Sequence, residues 1–152
     1  MRPFDHSGYA DLSSFPVQIP IYATFFGRFF AMLIDEIILM VPLFFINTSV
    51  FDGDLRLSFF FSLIVHWVYD AWQESSGNMA TVGKRAMGIK VTDLNGGKIS
   101  FGQATGRHFG KIISLIILLI GYFMMLWDDK SQTLHDKMAG TLVVTEKVGF
   151  RY

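Results

Sequence analysis

Three stretches of this chain are apolar for long enough to constrain everything else about it: Phe25 to Ile46, Leu57 to Trp72 and Ile112 to Trp127. The first is interrupted only by Arg28, Asp35 and Glu36, the second by His66 and Asp70, and the third carries no charge. A surface helix of a small soluble domain shows one apolar stripe and one polar face. These runs are apolar all round, and a bilayer-crossing helix needs about 20 mostly apolar residues. Three such helices cannot all be central in one small core, so the expected fold is an all-α membrane protein with about three transmembrane helices, over about 25–46, 57–72 and 110–127. Composition agrees, since 17% of the 152 residues are charged against roughly 25% in an average soluble domain. The 13 basic and 13 acidic side chains cancel, which leaves no electrostatic footprint for nucleic acid. The absence of Cys excludes a disulfide framework, a thiolate zinc site and a cysteine nucleophile. The partner implied is the lipid bilayer.

Residues 1–24 form a polar N-terminal segment, 25–145 the membrane domain and 146–152 a short tail. The first segment has one basic residue before Arg28, together with acids and prolines, and does not read as a cleaved signal peptide. Basic residues near the spans set orientation. Six lie between Gln73 and Lys111, one between Asn47 and Arg56, two up to Arg28 and four after Trp127. The expected site is therefore a bacterial cytoplasmic membrane, crossed several times, with the N-terminus and the 73–111 loop in the cytoplasm.

That loop has structure of its own. Thr81 to Met87 suits a short interfacial helix with Lys84 and Arg85 directed toward anionic lipid. Ile89 and Val91, then Ile99 and Phe101, flank Asn95-Gly96-Gly97, which predicts a β-hairpin. The Gly-Lys pair at 97–98 lacks the spacing of a phosphate loop, and no cofactor is expected.

An ionisable residue inside a span is costly, so each one is a functional candidate. Arg28 and Asp35 are two helical turns apart, on one face but about 10 Å distant along the axis, too far to pair directly. Glu36 points about 100° away from Asp35 and cannot share its partner. In the second span Ser58, Ser62, His66, Asp70 and Glu74 recur every four residues as a polar ridge that must face protein or water. Such a ridge serves either as a hydrogen-bonded seam between helices or as a cation or proton path through Asp35, His66, Asp70 and Ser62. A catalytic set of Ser62, His66 and Asp70 lacks a nucleophile elbow and an oxyanion site, so no enzyme is expected. Gly102, Gly106, Gly110 and Ser114, again at steps of four, predict a close helix-packing face. His135 and Asp136 are adjacent and diverge on a helix, so Asp136 is read as a cap or an acceptor for a distant Arg.

Taken together, Arg28, Asp35, the run Thr81-Val82-Gly83-Lys84-Arg85-Ala86-Met87-Gly88-Ile89-Lys90-Val91, Arg107 and Leu134-His135-Asp136 with Ala139-Gly140-Thr141-Leu142-Val143-Val144 resemble the RDD family of bacterial integral membrane proteins. The resemblance covers residues 25 to about 145. It implies Arg28 and Asp35 as the arginine and first aspartate for which the family is named, with Asp136 as the second. For function it implies a small cation or proton transporter or a transporter subunit, acting as a homo-oligomer or with other membrane subunits. The alternative is a non-transporting scaffold or assembly factor whose buried charges only fix helix packing. An Arg28–Asp136 pair would also conflict with three full spans, which put Arg28 and the tail on opposite sides. A re-entrant or tilted third segment, with Leu142 to Val144 pairing with the hairpin at Ile89 to Phe101, would reconcile them.

Overall fold

The computed structural model describes residues 20–116 and 120–146. The first apolar run becomes α1 (Phe25–Val50), capped by Thr24, whose hydroxyl accepts from the Gly27 N–H at 3.2 Å. It continues through Pro42 and, among the described residues, is the one helix long and apolar enough to cross a membrane. A tight turn with positive φ at Asp52 and Gly53 leads into α2 (Leu55–Glu74). There the Asp54 carboxylate accepts from the Arg56 and Leu57 amides, the satisfied helix start that Asp provides best. α3 (Val82–Ala86), β1 (Ile89–Asp93), α4 (Phe101–Ile116), α5 (Ile120–Phe123), a single 3-10 turn over Met124–Leu126, α6 (Leu134–Ala139) and β2 (Thr141–Thr145) complete the order.

Two expectations change. The hairpin does not form: β1 pairs antiparallel with β2, Ile89 opposite Thr145 and Asp93 opposite Thr141. The turn at Asn95-Gly96-Gly97 is present, closed by the Asp93 N–H to the Gly97 carbonyl at 2.9 Å. Beyond it Ser100 and Gln103 exchange side-chain and backbone hydrogen bonds. This capping box commits Phe101 to a helix, and Ile99 is buried in the core instead of continuing a strand. The residues before α1 extend the small sheet from the other side: Ala23 donates to the Val143 carbonyl at 2.9 Å, and Thr145 donates to the Ile21 carbonyl at 2.8 Å.

The second change concerns the span predicted over 110–127. Seven residues along a continuous helix separate two positions by about 10 Å. A Cβ placed on Gly121 would nevertheless lie 2.8 Å from the Ser114 Cβ and 3.1 Å from that of Leu134. α4 and α5 are therefore not one helix, and α5 lies back against α4 and α6. Phe123 then stacks on Phe25 at the start of α1, with ring centroids 5.9 Å apart. The third apolar segment returns to the level at which the first begins.

The distribution of polarity is inverted relative to a soluble protein. Glu74, Arg107 and Asp136 are 1%, 3% and 0% exposed, while Phe26, Phe45, Phe60 and Trp72 are more than 60% exposed. On α1 only the stripe Ala31, Asp35, Leu39, Leu43 is buried. On α4 the buried side is Ala104, Arg107, Gly110 and Ser114, and the apolar Phe109, Ile112 and Ile113 face outward. An apolar exterior around a polar interior suits hydrocarbon surroundings, where apolar side chains outside cost nothing.

The small-residue face is used only at one end. Steps of four drift by 40° each, so Gly102 and Ser114 differ by about 120°. Ser114 is buried and Gly110 abuts α6, whereas Gly102 and Gly106 are exposed. A Cβ on Gly110 would sit 2.9 Å from the His135 Cβ, while one on Gly106 would meet nothing within 4 Å. Gly110→Ala should therefore destabilise the protein by about 1–3 kcal/mol through overpacking, and Gly106→Ala should be neutral or better. Thermal midpoints of the two variants in detergent check this.

Candidate functional site

Sequence places the charged groups far apart, and the fold collects them at one end of the helices. Asp136 lies in the first turn of α6, where its carboxylate accepts from the Thr133 N–H at 3.2 Å. Arg28 from α1 and Arg107 from α4 each donate through Nη1 to one of its oxygens. Arg28 Nη2 donates in addition to the Ser131 carbonyl at 2.6 Å. Arg107 Nη1 also reaches the Thr141 hydroxyl at 3.2 Å, and its Nε sits 3.1 Å from Glu74 Oε2, an ion contact that is not aligned as a hydrogen bond. Glu74 in turn accepts from Lys84 Nζ. The chain of contacts Lys84, Glu74, Arg107, Asp136, Arg28 thus joins α3, α2, α4, α6 and α1. The expectation that Lys84 points to lipid is corrected, because it is buried against Glu74 while Arg85 is exposed.

Asp35 belongs to a second arrangement, in which its partners are uncharged. It accepts from the Tyr69 hydroxyl at 2.7 Å, the Thr81 hydroxyl at 2.6 Å and the Gly83 N–H at 2.7 Å. The start of α3 is thereby hung on the middle of α1, which explains the glycine of the Thr-Val-Gly-Lys-Arg run. A Cβ on Gly83 would overlap the Ala31 carbonyl oxygen and lie 2.9 Å from the Asp35 carboxylate.

The polar ridge of α2 is half-buried to buried along its length, between outward Phe59, Phe60, Leu63 and Ile64. As it winds, it meets different partners. His66 takes the Ser62 carbonyl at 2.7 Å and Glu36 of α1 at 3.2 Å. Asp70 takes Lys111 at 2.6 Å and His108 at 3.0 Å on α4, and Glu74 joins the ion cluster. Asp35, Ser62, His66 and Asp70 therefore do not converge on one path. Sequence reasoning set Glu36 aside, although its offset from Asp35 is what turns it toward a different residue of α2.

Arg28 and Asp136 pair, and Arg107 joins them, so Asp136 serves both as the helix cap and as the acceptor for a distant Arg. Burial works to raise the Asp136 carboxyl, but the guanidiniums of Arg107 and Arg28 outweigh it and hold that carboxyl well below the usual carboxylate range. Beside it, burial pushes the His135 imidazole down to about 3, opposed by the Asp136 carboxylate. The neutral ring fits its neighbours, with the Thr133 hydroxyl 2.9 Å from Nε2 and the Ser114 hydroxyl 3.5 Å from Nδ1.

Asp136→Asn strands two buried guanidiniums and should destabilise by about 3–5 kcal/mol, the range for breaking a buried pair, read as a fall in thermal midpoint. His135 has the depressed-pKa sign. Its ordinary value is 6.5, so between that value and about 3 the unfolded chain binds the extra proton. Stability is complete above that window and drains as pH falls through it. The midpoint should drop between pH 7 and pH 5, and His135→Gln should flatten that drop.

The family model described as RDD family matches residues 22–140. The chain is 31% identical over 146 residues to the uncharacterized protein YxaI of Bacillus subtilis (strain 168), covering 80% of this chain and 96% of that protein. It is 33% identical over 90 residues to the proline-rich antigen of Mycobacterium leprae (strain TN), covering 57% of this chain and 36% of that protein. A proline-rich antigen homolog of Mycobacterium tuberculosis (strain ATCC 25618 / H37Rv) is 35% identical over 79 residues, covering 51% of this chain and 32% of that protein. No solved structure matches. With the family model spanning most of the chain and meeting Arg28, Asp35 and Asp136 within its bounds, this protein belongs to the RDD family.

Proposed function

We propose that this RDD protein is a non-enzymatic, multi-pass scaffold of the bacterial cytoplasmic membrane, whose buried charges hold a polar platform of α3, α6 and the two-stranded sheet against the ends of its membrane helices. The observation that carries this reading is that the carboxylates of the candidate path are already committed. Asp35 accepts from three donors and Asp70 from a lysine and a histidine. A carrier's carboxylate must exchange partners during transport, and these hold structure together. The outward apolar faces of α1, α2 and α4 support immersion in lipid. In this reading α1 and α2 cross the bilayer, the third segment is re-entrant, and the N-terminal end of α1 shares the cytoplasmic side with α6. Partners are the bilayer and other copies or membrane subunits.

Cation or proton transport is the second reading, favoured by one observation, the Glu36–His66 pair midway along the two longest helices. The two readings part in a flux assay. Reconstituted wild-type protein should move sodium, potassium or protons no faster than empty vesicles. Asp35→Asn replaces one of the two accepting oxygens with an amide donor, set against either the Thr81 hydroxyl or the Gly83 N–H and Tyr69 hydroxyl, so it should cost about 1–3 kcal/mol of stability without altering flux. Saturable flux that Asp35→Asn abolishes at unchanged thermal midpoint would overturn the scaffold reading.

A further inference from the structure

Glu36 is not absorbed by the ion cluster or by the Asp35 arrangement. It lies about 16 Å from the start of α1 and about 21 Å from its end, on a helix whose most apolar stretch has a mean hydropathy of 2.3. Its own helical neighbours Leu33, Ile37 and Met40 are exposed. The Glu36 side chain is 57% exposed, and its partner His66 is 29% exposed. With α1 and α2 crossing the bilayer as proposed above, a bare carboxylate at that depth meets hydrocarbon, which is costly.

The geometry fixes one proton of the His66 ring. His66 Nδ1 is 2.7 Å from the Ser62 carbonyl oxygen. A carbonyl only accepts, so Nδ1 carries a hydrogen and donates it along the helix. Nε2, 3.2 Å from Glu36 Oε2, is then either the bare nitrogen of the neutral ring or the second N–H of a charged one. If it is bare, a hydrogen bond requires Glu36 to be a carboxylic acid that donates to it. If it carries a hydrogen, the proton is on the ring and the carboxylate accepts. Both arrangements contain one exchangeable proton between the same two atoms. With that proton removed, a carboxylate would face a nitrogen lone pair inside an apolar layer.

No other charged group intrudes. On α1, Asp35 turns to Tyr69, Thr81 and Gly83. On α2, Asp70 lies one turn beyond His66 and faces Lys111 and His108 of α4. Among the described residues neither group is within ion-pair reach of Glu36 or His66.

We propose that Glu36 and His66 form a single-proton binding site in the apolar zone between α1 and α2, with the proton held between Glu36 Oε2 and His66 Nε2 and open to the lipid side through Glu36. This goes beyond the scaffold reading and holds whether or not the protein moves ions.

A hydrophobic carbodiimide tests it. Dicyclohexylcarbodiimide reacts with a carboxyl that carries a proton in an apolar layer: the proton passes to a carbodiimide nitrogen, and the carboxylate oxygen bonds to the central carbon. In the full chain reconstituted in lipid vesicles, the adduct should map by peptide mass spectrometry to Glu36. Asp35 and Asp70, held by other donors, should stay unmodified, as should Asp52 in the α1–α2 turn. Independently, infrared spectroscopy should show a protonated-carboxyl or an imidazolium band that shifts in deuterated buffer and is lost in Glu36→Gln. Absence of the adduct from Glu36 together with absence of any such band sensitive to Glu36→Gln overturns the proposal. The outcome is independent of the flux assay, so a failure here does not disturb the scaffold reading.

Discussion

One buried carboxylate, Asp136, is shared by two guanidiniums that arrive from distant parts of the chain, Arg28 at the start of α1 and Arg107 in α4. Coulomb attraction alone does not explain their company. Each ion has been taken out of water at a cost of several kcal/mol, which is offset only by good geometry and further hydrogen bonds. The Thr133 amide, the Ser131 carbonyl and the Thr141 hydroxyl supply such bonds, and the Glu74 carboxylate adds a charge contact to Arg107. The cluster is therefore intolerant of loss. It also dictates topology: Arg28 and Asp136 can meet only if the third apolar segment brings the chain back to the level where the first one started.

From that closure the other features follow. The return places α6 against α4, where Gly110 and Gly121 allow backbone approach that larger residues would block. It then delivers β2 to β1, and the residues before α1 lie on the far side of β2. α3 is held twice, by Asp35 beneath its first turn and by Glu74 against Lys84. Along most of its length α1 has no such partners and presents apolar side chains outward. Order is thus concentrated at the charged end, where local contacts are dense, and the α1–α2 hairpin extends from it.

Much of the site was legible from residue spacing. The seven-residue interval between Arg28 and Asp35 ruled out a direct pair, and each found a partner on another element. The four-residue recurrence of the α2 ridge announced an inward polar face, but spacing along one helix cannot say which neighbour each position meets. Because the ridge winds, it meets α1 at His66, α4 at Asp70 and the ion cluster at Glu74. Glu36 was legible as pointing away from Asp35 and was overlooked as a partner for His66. The β1–β2 pairing joins segments about fifty residues apart; periodicity carries no information on such a contact, and it was anticipated only through the need to bring the tail back to the side of Arg28. The false hairpin had a local remedy in plain view, since Ser100 and Gln103 carry the spacing of a capping box that starts a helix where a return strand was expected. The return of the third segment onto α4 and α6 was signalled only indirectly, by the need to reunite Arg28 with Asp136.

The central claim is that the charged cluster returns the third segment to the side on which the first began, and single-cysteine accessibility tests it most directly because the native chain has no Cys. Arg85→Cys, Lys130→Cys and Asp52→Cys each place a thiol at an exposed position, in α3, just before α6 and in the α1–α2 turn respectively. A membrane-impermeant maleimide applied to intact cells and to inverted vesicles should find positions 85 and 130 on the same side and position 52 on the other. Labelling of position 130 from the same side as position 52 would contradict the account.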